Sequence, residues 1–228
     1  MAIKYKQSTV EKHVINRTKQ LYQKGCVNYS GLTIDTNEIY TEVISKLILS
    51  DIGILTKDIY PVTRERSYKV MSHKCHPYDP DTECKEEVFA RSLYEKQLGE
   101  LLMLDYQVPL KDYIAKKHPG LGKIDLLAYD GASLVILELK KPDSEETLLR
   151  CVLEAYTYFK TMNTVKLAID FNHPNIEVRA AVLVFEGSKP YSDWFCSNQP
   201  YVKELMKKLG VGLYSLKSTD DKEVKLIC

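Results

Sequence analysis

Three residues at short intervals carry the most chemical information in this chain: Asp125, Glu138 and Lys140, within GKIDLLAYDGASLVILELKK at positions 122–141. Two apolar runs flank Asp130-Gly131, a dipeptide that tolerates the positive φ of a tight turn, so the segment reads as a β-hairpin of residues 123–129 and 133–141. With Asp130 and Gly131 as the two loop residues, Tyr129 opposes Ala132 and Asp125 opposes Ile136. Side chains alternate along a strand, which puts Asp125, Ile136, Glu138 and Lys140 on one face. Glu138 then lies diagonal to Asp125, at backbone separations of roughly 7–8 Å. The opposite face (Ile124, Leu126, Ala128, Val135, Leu137, Leu139) is apolar throughout and reads as the core side. Two carboxylates converging on one spot suit Mg²⁺ or Mn²⁺, hard ions that retain several waters and take phosphate oxygens as further ligands. Such an ion acidifies a bound water and offsets charge building on a phosphodiester, while the ammonium positions or stabilises the attacking hydroxide. The spacing therefore predicts metal-assisted phosphodiester hydrolysis.

The elements that must position this hairpin follow from periodicity and punctuation. Residues 8–24 read as a polar helix ending near Gly25, and a second helix opens at Thr36 or Asn37 and runs through Ile48. Residues 51–80 are irregular, with a short strand near 68–71. Asp81 or Thr82 caps a helix with Glu83, Glu86 and Glu87 in its first turn, continuing through Phe89, Leu93, Tyr94, Leu98, Leu101 and Leu102. A short strand at 107–110 leads to a basic loop or broken helix over 111–122. After Pro142, a helix starting at Ser144, Glu145 and Glu146 runs through Leu148, Val152, Tyr156 and Phe159. Strands follow at 165–169 and 177–185 with a turn at 172–175, then a helix at 202–209 ended by Gly210 and strands at 211–216 and 224–227. The order is that of a mixed α/β (α+β) fold, not a Rossmann alternation. It divides into a helical N-terminal extension, 1–80, and a core, 81–228.

Asp125 followed, after twelve intervening residues, by Glu138-Leu139-Lys140 resembles the signature of the PD-(D/E)XK nuclease superfamily. KEEVFARSLYEKQL (85–98) resembles the acidic helix that precedes the motif. LEAYTYF (153–159) resembles the helix that follows it, which often carries a Gln and, four residues on, a Tyr. Within the superfamily the chain looks most like the nuclease domain at the N-terminus of type I restriction R subunits and its stand-alone relatives. The likeness covers roughly 81–187 and is strongest at 122–141. It implies a restriction-endonuclease-like core, metal ligation by Asp125 and Glu138, a catalytic role for Lys140, and a supporting helix glutamate. Glu87 is the choice for that glutamate, because it falls near the centre of the helix's apolar face, where an unpaired carboxylate is costly; Glu95, at the edge of that face, is the reserve. Two positions depart from the pattern. Ile124 stands where the name-giving proline would be, and Glu154, with Tyr158 four residues later, stands where Gln is common. An acid at 154 either joins the metal shell or marks a branch with altered activity.

Composition sets the outer limits. With 32 Lys plus Arg against 31 Asp plus Glu the net charge is +1, which excludes gripping nucleic acid by bulk charge but not a local basic groove. Lys116, Lys117, Lys123, Lys141 and Arg150, with Lys111 and His118, form the densest basic region and flank the hairpin, where a phosphate backbone would lie. The expected partner is nucleic acid, DNA in the first instance, with a homodimer left open and no membrane. The first residues, MAIKYKQSTVEK, lack a secretory apolar stretch, and no apolar run approaches the ~20 residues of a membrane helix. Six cysteines in 228 residues are too sparse for a disulfide framework, so the expected compartment is the reducing cytoplasm. Two alternatives stand beside the nuclease: a catalytically silent nucleic-acid-binding or regulatory module on the same fold, and a zinc-dependent interaction protein built on His73, Cys75, His76 and Cys84. The spacing of those four lacks the paired C-x₂-C rhythm of most structural zinc sites.

Overall fold

The computed structural model describes residues 4–16, 19–70, 85–112, 121–221 and 223–228. Among the described residues, four α-helices precede the sheet: α1 (Gln7–Ile15), α2 (Tyr40–Ser50), α3 (Gly53–Thr56) and α4 (Lys85–Leu93). Strands β1 (Gln97–Leu98), β2 (Leu101–Pro109), β3 (Lys123–Tyr129) and β4 (Ser133–Leu139) follow. Helices α5 (Leu148–Thr161) and α6 (Thr164–Asp170) lead to β5 (Glu177–Phe185). Helices α7 (Lys189–Phe195) and α8 (Pro200–Leu209) lead to β6 (Val211–Leu216), and β7 (Lys225–Leu226) closes the chain. The seven strands pair in chain order, β1 to β7. Neighbours are antiparallel from β1 to β4, parallel from β4 through β5 to β6, and antiparallel at β7. Each parallel step is bridged by a helix pair, α5–α6 or α7–α8, as a parallel connection requires.

All seven residues of β4 are buried, the mark of a strand covered on both faces. One face carries Leu126, Ala128, Val135, Leu137, Leu139, Leu183 and Phe185 against Ala90 and Leu93 of α4. That side is core, as the alternation predicts, although Ile124 belongs with the other cluster. The other face, which carries the acids, is not open. Leu127, Leu134, Ile136, Val182 and Val184 pack there with α5, α8 and the N-terminal helices in the larger core cluster. The functional groups therefore lie beneath a helical layer rather than on a solvated sheet surface.

Residues of the N-terminal helices bond directly to later elements. The Glu42 carboxylate of α2 accepts from the backbone N–H groups of Tyr201 and Val202 at 3.0 and 2.9 Å, capping the start of α8. Thr41 Oγ1 donates to Gln199 Oε1 at 3.0 Å.

Several expected elements differ. The helix expected over 8–24 stops at Ile15, where Asn16 leaves helical geometry, and 3₁₀ turns at Leu21–Gln23 and Gly25–Asn28 replace its second half. The helix expected at Thr36 or Asn37 opens at Tyr40, because Asn37 takes φ +56° in a turn closed by Thr33 Oγ1 accepting from the Glu38 N–H at 3.0 Å. No strand forms over 68–70; the Tyr68 N–H donates to Asp170 Oδ2 instead, at 2.8 Å. The expected caps Asp81 and Thr82, and the candidate zinc ligands, fall outside the described residues. Leu98, Leu101 and Leu102 belong to strands, not to the preceding helix: Glu95 and Gly99, both at φ +60°, reverse the chain twice between Leu93 and Leu101. The strand expected at 107–110 is the end of the longer β2. The helix expected from 144 begins at Leu148, capped by Thr147, whose side chain accepts from the Arg150 N–H. The strand expected at 165–169 is helix α6, started by Asn163, whose side chain accepts from the Lys166 N–H. A short apolar run cannot be assigned by period alone, and here the cap decides.

Candidate active site

The hairpin forms, with a longer connection than two residues. Tyr129 pairs with Leu134 and Leu126 with Leu137, so the loop comprises 130–133. Asp130 Oδ1 accepts from the N–H groups of Ala132 and Ser133, which favours the wider turn over a two-residue one. The register is displaced by two residues from the expected one. Because side-chain orientation has a period of two, the displacement leaves facing unchanged; the ladder ends at Leu126–Leu137, and one step further along the same register Glu138 falls across from Asp125 rather than diagonal to it.

Asp125 is held from two sides. Its Oδ2 accepts from the Leu139 N–H at 2.9 Å, and its Oδ1 accepts from Gln107 Nε2 at 3.1 Å. Gln107 lies across the sheet on β2 at φ +48°, a strained conformation for a side chain of this size, just beyond a register shift between Met103 and Asp105. Lys140, 4 % exposed, lies among three carboxylates. Its Nζ is 2.7 Å from Glu138 Oε1, 3.0 Å from Glu146 Oε2 and 3.3 Å from Glu154 Oε2. The ammonium donates hydrogen bonds to Glu138 and Glu154, while Glu146 Oε2 is an ion-pair neighbour without hydrogen-bond geometry. The second oxygen of Glu138 is buried with no hydrogen-bond partner.

Electrostatics follow from this enclosure. Burial pushes the Asp125 carboxyl up to about 7, against the opposing pull of Lys140 and the Leu139 N–H. Glu138 is raised well above the usual carboxylate range by burial first, then by Asp125 and Glu154. For Lys140 burial works against the charge, but Glu138 and the other carboxylates outweigh it and raise its pKa. Tyr158 is raised by burial and by Glu154, to whose Oε1 its hydroxyl donates at 3.0 Å. Gly122 makes room for this ring: a Cβ there would lie 2.3 Å from the Tyr158 hydroxyl oxygen.

Asp125, Glu138, Lys140, Glu154 and Tyr158 thus come together. Glu87 does not join them; it pairs with Arg91 at 3.6 Å on its own helix. Glu86, one residue earlier, turns to the site instead: its Oε1 accepts from the Lys141 N–H at 3.2 Å, and its charge acts on Asp125. Leu98, Leu101 and Leu102, which would set Glu87 at the centre of the helix's apolar face, are strand residues, and without them that face no longer centres on Glu87. Glu95 sits in the turn after α4, its N–H donating to the Met103 carbonyl. Of the basic residues, Lys123 is exposed, Lys141 pairs with Asp143 at 3.5 Å and Arg150 with Glu146 at 3.0 Å; Lys116 and Lys117 fall outside the described residues. Sequence reasoning missed Glu146, Gln107 and Glu86. Glu146 was placed inside a helix, Gln107 carries no motif, and only the acidic first turn pointed toward Glu86.

Among the described residues, no three His, Cys, Asp or Glu side chains already stand as a metal-ligand set. The donor chemistry nevertheless fits a Mg²⁺-like ion, which needs only one or two carboxylates and keeps waters for its other positions. The unpartnered Glu138 oxygen, opposite Asp125, is an acceptor without a donor. Among the described residues, no helix is long and apolar enough to cross a membrane.

No protein-family profile and no curated protein matches this chain. A solved structure, SfsA of Pyrococcus furiosus in complex with Ca²⁺, is similar at 16 % sequence identity and a TM-score of 0.25, over 56 % of this chain and 53 % of that one. The chain spans about half the length of that protein.

Proposed function

We propose that this chain is a divalent-metal-dependent nuclease of the PD-(D/E)XK kind, acting on DNA, with its catalytic core in 81–228 and a helical extension in 1–80. The observation that carries the reading is the enclosure, under one helix, of two facing carboxylates and a lysine in the order Asp125, Glu138, Lys140. Three independent features converge on it: the register that opposes the two acids, the strained Gln107 that fixes one of them, and the orphaned Glu138 oxygen. Clustered, perturbed titratable groups of this kind are uncommon outside functional sites.

Asp125 and Glu138 would hold Mg²⁺ or Mn²⁺, which when bound supplies a Lewis acid and an acidified water. Gln107 and the Leu139 N–H fix the Asp125 carboxylate before any ligand arrives, so little reorganisation is needed. Lys140 supplies positive charge beside the developing phosphorane. Its three carboxylate neighbours hold it charged and locate it. Lys123, Lys141 and Arg150, together with Lys116 and Lys117, would contact the phosphate backbone.

The full engagement of Lys140 by Glu138, Glu146 and Glu154 is also what favours the second reading, a nucleic-acid-binding module that does not cut. The two are separated by incubating supercoiled plasmid and single-stranded DNA with Mg²⁺ or Mn²⁺, comparing the parent with Asp125→Ala and Lys140→Ala. A nuclease loses cleavage by about a hundredfold or more in both variants. Cleavage that persists in both refutes the assignment, and DNA binding by a parent that never cuts establishes the silent module.

A further inference from the structure

We infer that the N-terminal extension carries a phosphate-binding pocket for the DNA backbone, built on Lys12 and Lys24 with His13 beside them. This deepens the nuclease reading and rests on it for the choice of DNA as the partner.

The cations of the chain are unevenly spread. Its net charge is +1, yet positions 12–34 hold Lys12, Arg17, Lys19 and Lys24 and no aspartate or glutamate. The fold gathers part of this run around a cavity of about 300 Å³. Lys12, His13 and Asn16 line it from the end of α1, and Lys24, Gly25 and Tyr29 from the 3₁₀ turns that follow. Among the described residues no carboxylate lines the cavity, and none meets the ammonium of Lys12 or Lys24. The helix dipole accounts for Lys12 and His13, since it favours cations in the last turn. It does not account for Lys24, which comes from a separate segment, is half-buried and gains no counter-charge. A partly desolvated ammonium is unfavourable until an anion pairs with it.

Aromatic neighbours hold the pocket in shape. Tyr29 stacks on Tyr5 with ring centres 5.0 Å apart and meets Tyr40 edge to face at 5.8 Å. His13 Nδ1 lies 3.4 Å from the Tyr29 hydroxyl, and among the described residues its Nε2 has no partner. A phosphodiester supplies what these groups lack: two charged oxygens that accept from ammonium and imidazole N–H groups.

The same turns are tied to the candidate active site. Thr147 donates through Oγ1 to the Val27 carbonyl at 2.6 Å and through its N–H to Asn28 Oδ1 at 2.7 Å. Thr147 follows Glu146, whose Oε2 is 3.0 Å from Lys140 Nζ. The path along these bonds from the Lys24 backbone to the Lys140 ammonium is at most about 30 Å. That lies within one turn of duplex, about 34 Å. One DNA backbone can therefore occupy both places, and the separation favours an extended polyanion over a free phosphate.

The test measures binding of a labelled duplex of about two helical turns to the full chain, in EDTA to prevent metal-dependent cleavage and across a salt series. The proteins are the parent, Lys12→Gln, Lys24→Gln and the pair. Losing one phosphate contact lowers the slope of log affinity against log salt by about 0.9, a fall of about eightfold at roughly 0.1 M salt. Each single variant should show that loss, the pair the product of the two, and every duplex sequence the same effect. Lys24→Arg, which keeps the charge, should retain the parent's affinity. Lys46→Gln, whose ammonium is already paired with Glu38, should bind as the parent does. Affinity and salt slope unchanged in the pair overturn the inference, whether or not the parent cleaves DNA. So does a parent that binds no DNA but binds phosphatidylglycerol vesicles through the two lysines, which makes the pocket a membrane contact. A parent that binds DNA through both lysines yet never cuts with Mg²⁺ or Mn²⁺ removes the nuclease reading and leaves the pocket standing.

Discussion

Replacing Lys140 by methionine removes the positive charge that touches Glu138, Glu146 and Glu154 together, while nearly preserving side-chain volume. The lysine side chain is 5 % exposed, as is that of Glu138, so bulk water screens neither. Removing one partner of a buried pair typically costs about 3–5 kcal/mol, because the remaining charge loses its compensation. In a chain of this length that is a fall in Tm of roughly 6–20 °C. The loss must depend on pH. Burial and the neighbouring acids raise the Glu138 carboxyl well above the usual carboxylate range, so the loss caused by the missing ammonium should grow as the pH rises from 5 to 8. Urea denaturation at both pH values, with a chelator present, measures it. Lys46→Met serves as control: Lys46 pairs with Glu38 at 2.8 Å, but the two side chains are 46 and 31 % exposed, and the unfolding midpoint should not move. Mg²⁺ at a hundred times its Kd for the Lys140 variant should then stabilise that variant by about 2.7 kcal/mol. A loss at pH 8 below about 1 kcal/mol, the range of exposed pairs, would refute the reasoning. Equal losses at pH 5 and pH 8 would do the same.

Two further predictions follow from the same geometry. The folded-state pKa of Asp125, about 7, lies above its ordinary 3.8, so the folded form binds the proton more tightly than the unfolded form. Its contribution is therefore complete below pH 4 and lost as pH rises through 7, a decline of about 4 kcal/mol in metal-free protein. Asp125→Asn should remove that slope, with Gln107 turning its amide to accept from the new NH₂ group; equal pH slopes in the two proteins would contradict it. Gly122→Ala drives a methyl into the Tyr158 hydroxyl and should cost about 1–3 kcal/mol by thermal melting. Part of that loss should return in the double variant with Tyr158→Phe, and strict additivity would show that the clash is absent.

Much of the scaffold was legible before any coordinates. β3, β5 and β6 fall where alternation and turn residues put them, and Gly210, at φ +66°, ends α8 as expected. What misled was ambiguity over short distances. Leu98, Leu101 and Leu102 fit a helical period as well as a strand, and only the reversal at Glu95 and Gly99 separates the two. Val165 and Ile169 are 69 and 56 % exposed on α6, so their apolar character did not report a buried strand.

The sequence by itself determined which groups share a face: Asp125, Glu138 and Lys140 are separated by intervals that keep them together in either hairpin register, because strand orientation repeats every two residues. It could not determine what faces them. Glu86, Gln107, Glu146 and Glu154 arrive from other stretches of chain. Their convergence depends on where α5 and the N-terminal turns pack against the sheet, which is set by the burial of the larger core cluster rather than by any local pattern. Burial also set the charge states, since the same carboxyl is acidic in water and held near neutrality beneath a helix.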